Sequence, residues 1–414
     1  MTLKNKKVLI IGFVWPEPKS SAAGSRMLQL IELFNEHGCD ITYVSTAIRT
    51  EQSFSLEDWG VSVDNILLND ASFDDYILKL QPDIVMFDRF MTEEQFGWRV
   101  AKHCPNALRI LDTEDLHSLR FGRQKAYKDN VPFDKSYLFN DMAKRELASI
   151  YRSDLSLIIS EAEMKLLLKE FKVDKNLIYY LPFLQPKILF EQFQELPGFE
   201  VREHFMTIGN FLHEPNYNSA VHIKNHIWPN IRKQLPKAEM HLYGAYASQK
   251  VLQLHNPKEG FLVKGFAEDV NIAIQKYRVC LAPLQFGAGL KGKLIDAMHN
   301  GTPCVMSSIA AEGMFGELEP NGYIEDSPEE FADKAVNLYN SQTLWKDFMF
   351  NGVEIINKRF NVEKLKPEFI SAIESLLNNL QQHRLNNFMG TMLQHHTMQS
   401  TKFMAKWIEA KNKL

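Results

Sequence analysis

The sequence predicts an α/β protein made of two domains, each with a parallel sheet covered by helices on both faces. Short apolar runs alternate with longer amphipathic stretches, which is typical of strands and helices that follow one another. A segment rich in proline and without a clear period interrupts this alternation near the middle of the 414-residue chain, and the alternation then restarts. Because ligands bind beyond the carboxyl ends of strands in open parallel sheets, we expect the functional site in the cleft between the domains.

The first half of the chain carries the pattern of one such domain. Apolar runs predict buried strands at residues 8–14, 41–45, 84–87, 108–111 and 155–159. Amphipathic patterns predict helices between several of these strands, at residues 26–36, 73–79 and 93–103. We therefore assign residues 1–184 to an N-terminal Rossmann-like domain.

The second half repeats the pattern after a predicted linker at residues 185–204, which prolines punctuate. Strands are predicted at residues 206–209, 239–243, 261–263, 279–282 and 304–306. Helices are predicted at residues 218–234, 270–277 and 291–300. We assign residues 205–365 to a C-terminal Rossmann-like domain and residues 366–414 to a helical tail, for which packing back on the N-terminal domain is one interpretation.

The composition limits the classes of function. The formal net charge of −4 argues against binding of nucleic acid by bulk charge. No cysteines form a CxxC pair, and Cys280 and Cys304 lie in apolar runs, so we predict that both are buried. The apolar run near the N-terminus is not followed by a small-residue cleavage site, and no stretch reaches the roughly 18 apolar residues of a membrane span. We expect a cytoplasmic protein.

The most informative segment is APLQFGAGLKGKLIDAMHNGTPCVMSSIAAE, residues 282–312. A strand ends where this segment begins, and a glycine-rich turn then leads into a helix. The backbone N–H groups of such a turn approach an anion closely, and the helix N-terminus adds about half a positive charge. Lys291 and Lys293 add whole charges, and Asp296, one turn further on, is positioned to accept hydrogen bonds from the hydroxyls of a ribose. These features predict a site for a nucleoside diphosphate.

This segment resembles the donor-binding segment of retaining GT-B glycosyltransferases of family four, the group 1 type. Other stretches resemble that family in the same order, among them SDLSLIISEAEMKLLLKEF and VKGFAEDVNIAIQKYRVCLAPL, up to about residue 365. The resemblance implies a GT-B fold and no separate cofactor. It implies that a UDP- or GDP-linked sugar donor binds to Gly287, Gly289, Lys291, Lys293 and Asp296.

One position departs from the family pattern. The family often carries a pair of glutamates in this segment, and the first of them contacts the transferred sugar. The second falls on Asp296, which is a conservative change, and the first falls on Ala288. The identity of the transferred sugar therefore stays open.

The opposite wall of the cleft is predicted from loops of the N-terminal domain. Gly24, Ser25 and Arg26 precede a long amphipathic helix, which Ser25 is predicted to cap. The free N–H groups at such a helix start are suited to hold a phosphate, and the resemblance places a glycine-rich loop here, at the donor–acceptor junction. An ordinary capped helix start is the alternative.

Polar residues that follow two other strands are further candidates, because α/β proteins place their chemistry at strand ends. The resemblance assigns to His117 a histidine that reaches the donor sugar, and Asp115 is near enough in sequence to orient it or to assist deprotonation of the acceptor. Arg89 follows the strand at 84–87 and is predicted to face the acceptor.

Three more residues are predicted to contact the donor. Asn210 lies where the family holds the donor, Lys264 ends a strand that points at the cleft, and Glu312 begins a loop at the end of another strand. Lys291 joins His117 and Asp115 as the third predicted catalytic residue. We see no residues at metal-ligand spacing and expect no metal.

Together these features predict transfer of a sugar from a nucleoside-diphosphate sugar to a hydroxyl of a glycan or lipid-linked acceptor, with retention implied by the resemblance. Two alternatives stay open at this point. One is a non-catalytic protein that binds sugar nucleotides or serves as a scaffold, and the other is a GT-B nucleotide-sugar epimerase.

The tail carries large apolar residues at helical spacing, together with lysines near its end. These are Met389, Met392, Leu393, Phe403, Met404 and Trp407, with Lys402, Lys406, Lys411 and Lys413. The pattern fits a helix that packs on the protein or on a partner, and it also fits a helix in peripheral contact with an anionic membrane.

Overall fold

The computed structural model describes residues 2–412, apart from the side chains of residues 398 and 399, so Lys413 lies outside the described residues. The strands of the N-terminal domain are β1 (Lys7–Gly12), β2 (Asp40–Ser45), β3 (Ser62–Asn65), β4 (Ile84–Asp88), β5 (Leu108–Asp112), β6 (Leu155–Ile158) and β7 (Ile178–Tyr180). They form one parallel sheet in the order β3-β2-β1-β4-β5-β6-β7. Every strand predicted for this domain is confirmed. The two edge strands β3 and β7 were not predicted, because β3 is mostly exposed and β7 is too short to show a period.

The strands of the C-terminal domain are β8 (Glu203–Ile208), β9 (Met240–Tyr243), β10 (Phe261–Gly265), β11 (Tyr277–Ala282), β12 (Cys304–Met306) and β13 (Gly322–Ile324). They form a second parallel sheet in the order β10-β9-β8-β11-β12-β13. The predicted strands are again confirmed, and the edge strand β13 is added. Cys280 and Cys304 lie side by side on β11 and β12 and are fully buried, as predicted.

Helices cover both faces of each sheet. In the N-terminal half they are α1 (Ala22–Glu36), α2 (Ser72–Leu80), α3 (Arg89–His103), α4 (His117–Lys128), α5 (Lys135–Leu138), α6 (Asp141–Arg152), α7 (Glu161–Lys169) and α8 (Phe190–Glu195). In the C-terminal half they are α9 (Glu214–His222), α10 (Trp228–Gln234), α11 (Gln249–Leu252), α12 (Val270–Ile274), α13 (Gly292–His299), α14 (Ser308–Ala311), α15 (Pro328–Asn340), α16 (Gln342–Arg359), α17 (Val362–Asn386) and α18 (Phe388–Asn412). Short 3-10 turns occur at Leu56–Trp59, Lys175–Leu177, Phe199–Val201 and Pro257–Glu259, and a π-helical segment at Ile223–Ile227 joins α9 to α10.

The central strands have continuous apolar sequences because both faces of the sheet are buried. Successive side chains of a strand point to opposite faces. On β1, Val8 and Ile10 pack into one hydrophobic core, while Leu9 and Ile11 pack into the other. The polar residues are therefore confined to the strand ends, where they are available for a site.

The first helix begins earlier than predicted. Ser21 is its N-cap and accepts a hydrogen bond at 3.1 Å from the backbone N–H of Gly24. The prediction that Ser25 caps the helix is wrong, since Ser25 lies in the first turn and donates to the carbonyl of Pro18 at 3.1 Å. Helix α1 therefore begins at Ala22, before the predicted start at residue 26.

The predicted helix at residues 218–234 is wrong in its start and in its continuity. His213 is the N-cap, so α9 begins at Glu214, before the predicted start at residue 218. The π-helical segment then interrupts the run before α10.

The chain returns to the N-terminal domain at its end. Phe369 and Ile373 of α17 join the core of that domain, and α18 packs against α3 and α6. Glu409 of α18 pairs with the buried Arg99 of α3, while Phe403 and Trp407 remain 59% and 60% exposed. Among the described residues, no helix has the length and apolar character needed to cross a membrane.

Arg384 provides a test of the attachment of this tail. Its guanidinium donates to both carboxylate oxygens of the buried Asp154, at 2.7 and 2.6 Å. We expect Arg384→Ala to lower the free energy of unfolding by about 2 kcal/mol, because the substitution removes charged hydrogen bonds from a buried carboxylate. Urea unfolding would measure this loss.

The matched control is Lys358→Ala, which breaks an ion pair between half-exposed side chains, Lys358 and Glu354. We expect a change within about 0.5 kcal/mol there. Equal effects of the two substitutions would contradict the assigned role of Arg384.

Candidate active site

A cavity of about 1140 Å³ lies between the two domains. The loops around it follow the carboxyl ends of strands in both sheets, as the architecture predicts. Most of the lining residues fall within 13–25, 88–91, 114–120, 208–216, 244–246, 266–271 and 284–296. The cavity therefore joins the segments that were singled out in the sequence.

Two helix N-termini meet at this cavity. The glycine turn at residues 287–289 leads to Lys291, which is the N-cap residue of α13. A Cβ atom on Gly292 would lie 2.5 Å from the Cβ of Ala22, the first residue of α1. The starts of α1 and α13 thus approach each other across the cleft, and both line the cavity. The N-terminus of a helix carries a partial positive charge.

The two lysines of this turn are held by neutral oxygen atoms. The ammonium of Lys291 donates to the carbonyl of Ala288 at 2.9 Å and to that of Gly289. Lys293 donates to the side-chain oxygen of Asn216 at 3.0 Å. Burial lowers the pKa of both amines to about 8. Both ammonium groups lie in a setting that an anion would stabilise.

Asp296 lines the same cavity from the first turns of α13. Burial raises the pKa of its carboxyl to about 7. Asn210 lines the cavity beside it and donates to the hydroxyl of Ser20 at 3.1 Å, which connects the two domains. His213 also lines the cavity, although it was not selected in the sequence.

The opposite wall carries His117 and Asp115, which both line the cavity. Their closest side-chain atoms, Nε2 of His117 and Oδ1 of Asp115, are 3.4 Å apart. Burial lowers the pKa of His117 to about 4, although Asp115 opposes this shift, so the imidazole is neutral at pH 7. Burial disfavours ionisation of Asp115, but Arg120 and His117 outweigh it and bring its pKa to about 2.

The glycine turn is joined to the N-terminal domain by residues that the sequence did not single out. Glu163 of α7 is fully buried and accepts the backbone N–H of Gly289 at 2.8 Å and that of Leu116 at 3.0 Å. Arg123 of α4 donates to the carbonyl of Gly287 at 2.9 Å. Ala288 packs into a hydrophobic core of the N-terminal domain. No local pattern marks these residues, because their partners lie in the other domain.

Three predicted site residues lie away from the cavity. Arg26 is 1% exposed and pairs with Asp112 at 2.8 Å, so it anchors α1 to the sheet. Lys264 is an exposed residue of β10. Glu312 pairs with Arg123 at 2.7 Å and thereby links the two domains. The other predicted site residues line the cavity: Gly24, Ser25, Arg89, Asp115, His117, Asn210, Gly287, Gly289, Lys291, Lys293 and Asp296.

No group of three or more His, Cys, Asp or Glu side chains is arranged to hold a metal ion in the part of the chain that the structure describes. The charged groups that could stabilise an anion in the cavity are basic side chains and the two helix starts.

Residues 202–341 match the family described as Glycosyl transferases group 1. No curated protein matches the chain in sequence. A mutant of TarM from S. aureus, in complex with fondaparinux, alpha-GlcNAc-glycerol and UDP, is 18% identical with a TM-score of 0.57, over 72% of this chain and 57% of that chain.

Two other solved structures are covered over their whole length. Sucrose-phosphate synthase from Thermosynechococcus elongatus is 14% identical with a TM-score of 0.68, over 90% of this chain and 100% of that chain. Alr3699/HepE from Anabaena, in complex with UDP-glucose, is 12% identical with a TM-score of 0.66, over 89% of this chain and 100% of that chain. At these identities the likeness concerns the fold.

The two parallel sheets and their order give the chain the fold of GT-B glycosyltransferases, and the C-terminal domain contains the match to the group 1 glycosyltransferase domain.

Gly289→Ala tests the contact between the glycine turn and the N-terminal domain. Gly289 has φ +63°, and a Cβ atom there would lie 2.8 Å from the Cβ of Asp115. We expect a loss of about 2 kcal/mol in the free energy of unfolding, from backbone strain and from the clash. We also expect a larger radius of gyration in small-angle X-ray scattering, because the domains must move apart.

Two controls separate these causes. Gly60→Ala shares the positive φ of +75° but meets no atom within 4 Å, so we expect only the strain, about 1 kcal/mol. Gly198→Ala has φ −78° and open surroundings and should be neutral. If Gly289→Ala behaved like Gly60→Ala in both measurements, the contact between the glycine turn and the N-terminal domain would not contribute to stability or to domain closure.

Proposed function

We propose that this protein transfers a sugar from a nucleoside-diphosphate sugar to a hydroxyl group of an acceptor, with retention at the anomeric carbon. The observation that carries the proposal is the meeting of two helix starts and two buried amines at one glycine turn. Such a concentration of positive charge in a buried cavity suits a diphosphate. UDP is named in complexes of TarM and of HepE, which supports UDP as the first nucleotide to test and GDP as the second.

In the proposed donor complex, the diphosphate lies at the N-terminus of α13, against Lys291 and Lys293. Asp296 accepts hydrogen bonds from the ribose hydroxyls, and Asn210 lies beside the diphosphate. Ser25 and Gly24 contribute the start of α1 from the opposite wall. A ligand of this kind compensates the burial of both amines, because it supplies the opposite charge.

The proposed reaction follows from these positions. The acceptor oxygen forms a bond to the anomeric carbon, and the bond from that carbon to the phosphate oxygen breaks, with its electron pair passing to the diphosphate. Because the hydroxyl attacks on the face that the leaving group occupies, the departing oxygen is next to it and takes its proton. Lys291 stabilises the charge on the leaving group. Neutral His117 directs its Nε2 atom to Asp115 and accepts a hydrogen bond from a hydroxyl of the transferred sugar through Nδ1.

We propose a glycan or a lipid-linked precursor as the acceptor. Half-exposed Phe403, Met404 and Trp407 on α18 support contact with a membrane surface that carries such a lipid. The alternatives have distinct signatures in one assay. An epimerase converts the donor sugar without any acceptor, and a scaffold protein binds the donor without releasing nucleoside diphosphate.

Lys291→Ala tests the leaving-group role. We expect the rate of nucleoside-diphosphate release to fall about 100-fold, because a preorganised charge at the leaving group is lost. Lys293→Ala should be weaker, about tenfold, and Lys258→Ala, an exposed lysine of the same domain, should be unchanged. Near-normal turnover by Lys291→Ala, with the thermal unfolding midpoint preserved, would refute the assignment.

The depressed pKa values of the two amines predict how donor binding depends on pH. Below pH 8 both amines carry a proton and attract the diphosphate, whereas above pH 8 they lose it, since their pKa is about 8. We expect the dissociation constant of UDP, measured by calorimetry, to rise about tenfold per pH unit for each amine that titrates above pH 8.

Lys291→Arg should flatten this dependence, because a guanidinium stays charged over the whole range. An affinity that did not change between pH 7 and about 9.5 would show that neither amine faces the diphosphate.

A further inference from the structure

The last helix, α18, turns its polar side toward the protein. Three buried arginines of the N-terminal domain each contact one of its polar side chains, in the pairs Arg99 with Glu409, Arg109 with Gln394 and Arg152 with Thr397. Small residues of the same side lie close to the domain. Ala405 is buried, and a Cβ atom on Gly390 would lie 2.0 Å from the carbonyl oxygen of Tyr151. Helix α18 is therefore attached largely by polar contacts and by close approach of small residues.

The large apolar side chains of this region lie on the surface instead. Met389, Met392, Phe403 and Trp407 are spaced so that they share one face of the helix. Seven such side chains are between 39% and 76% exposed, namely Leu385, Phe388, Met389, Met392, Phe403, Met404 and Trp407. We call these seven residues the apolar stripe. A helix of a globular protein normally turns its apolar face to the core, so the reversed orientation of α18 marks the stripe as an interaction surface.

The charges beside the apolar stripe are positive. Helix α18 carries Lys402, Lys406 and Lys411, whereas its single acidic residue, Glu409, faces the protein and pairs with Arg99. The ammonium of Lys402 lies 5.9 Å from the centre of the Phe403 ring, and that of Lys411 lies 5.4 Å from the centre of the Trp407 ring. A second copy of this helix would bring no negative charge to these lysines, whereas an anionic surface would complement them.

The helices beneath α18 do not offset this positive charge. Helix α18 packs against α3 and α6. Their acidic side chains are buried or paired with a cation, in the pairs Glu93 with Arg152, Glu94 with Arg145 and Asp141 with Lys144, while Glu146 is buried. The helix has 25 residues and is therefore about 37 Å long. A flat anionic surface can contact the apolar stripe along this whole length.

We infer that α18 docks the protein on an anionic lipid bilayer. The apolar stripe enters the boundary between headgroups and acyl chains, and the three lysines contact the anionic headgroups. Tryptophan and phenylalanine are suited to this boundary, and lysine side chains can lie along it with the ammonium in water. The inference rests on the proposed function for the lipid-linked acceptor, and it names the docking helix and the charge of the lipid.

Flotation of the full chain with lipid vesicles tests the docking. One set of vesicles contains phosphatidylcholine alone, and the other contains equal parts of phosphatidylcholine and phosphatidylglycerol. We expect binding to the anionic vesicles to be at least about tenfold stronger, because three lysines face the headgroups, and to weaken as salt is added. Equal binding to both sets, or binding to neither, would overturn the inference.

A double variant tests the apolar stripe. We expect Phe403→Ser with Trp407→Ser to weaken binding to anionic vesicles at least about tenfold, because two large side chains no longer enter the bilayer. The matched control is Phe190→Ser with Val201→Ser, since these side chains are 66% and 72% exposed elsewhere on the surface. The control should bind like the wild-type chain, and both double variants should keep the thermal unfolding midpoint. Equal losses of binding in the two would contradict docking through α18.

The lysines and the depth of insertion are tested separately. Lys402→Gln, Lys406→Gln and Lys411→Gln, combined in one chain, should lower binding to anionic vesicles about fivefold per lysine and leave binding to neutral vesicles unchanged. Lipids brominated on the acyl chains should quench part of the tryptophan fluorescence of the bound wild-type chain. Trp407→Phe should still bind and should lose that quenched part. Undiminished quenching in this variant would show that another surface enters the bilayer.

The remaining outcomes separate this inference from its rivals and from the proposed function. A dimer in analytical ultracentrifugation that the Phe403→Ser, Trp407→Ser variant abolishes, without flotation of the wild-type chain, would assign the stripe to a second copy and overturn the inference. Absence of flotation by a chain that binds UDP or GDP would overturn the docking alone. Flotation of a chain that binds neither nucleotide would overturn the proposed function alone.

Discussion

A hydrogen bond from the backbone N–H of Gly289 to the buried carboxylate of Glu163 joins the glycine turn of one domain to the other domain. Arg123 adds a second link, to the carbonyl of Gly287, and Ala288 packs into the N-terminal core between them. These contacts bring the start of α13 and the polar strand ends of the N-terminal sheet into one cavity. Without them the two halves of the site would face open solvent, and each would be an ordinary surface loop.

Enclosure of the cavity between the domains shifts the pKa values of several side chains in the site. Burial lowers the pKa of Lys291 and Lys293 and raises the pKa of Asp296 and Glu163, so every one of these shifts disfavours the charged form. Buried charges of this kind need partners of the opposite sign. A diphosphate and a ribose are suitable partners for the amines and for Asp296, whereas Glu163 is already committed to backbone N–H groups.

The two walls of the cavity use different chemistry. The C-terminal wall relies on helix N-termini and lysines, which suit an anion. The N-terminal wall relies on polar side chains at strand ends, where the backbone at Arg89 and Glu114 is strained. Strain reduces stability, and it is expected where function rather than folding selects the residue. This division fits a reaction that holds an anionic donor on one side and a hydroxyl acceptor on the other.

The order of strands and helices, and the glycine turn with its two lysines, follow from local patterns. A strand buried on both faces must be apolar along its length, and a turn that approaches an anion needs glycine. Both features therefore produce a pattern in neighbouring residues of the sequence. No local sequence pattern indicates the partners of Arg26, Glu163 and Glu312. Arg26 meets Asp112, 86 positions away, and Glu163 and Glu312 act across the interface between the domains. Some polar residues face the cavity, and others form ion pairs away from it. Only the tertiary structure decided between these outcomes, because they depend on how the two sheets pack.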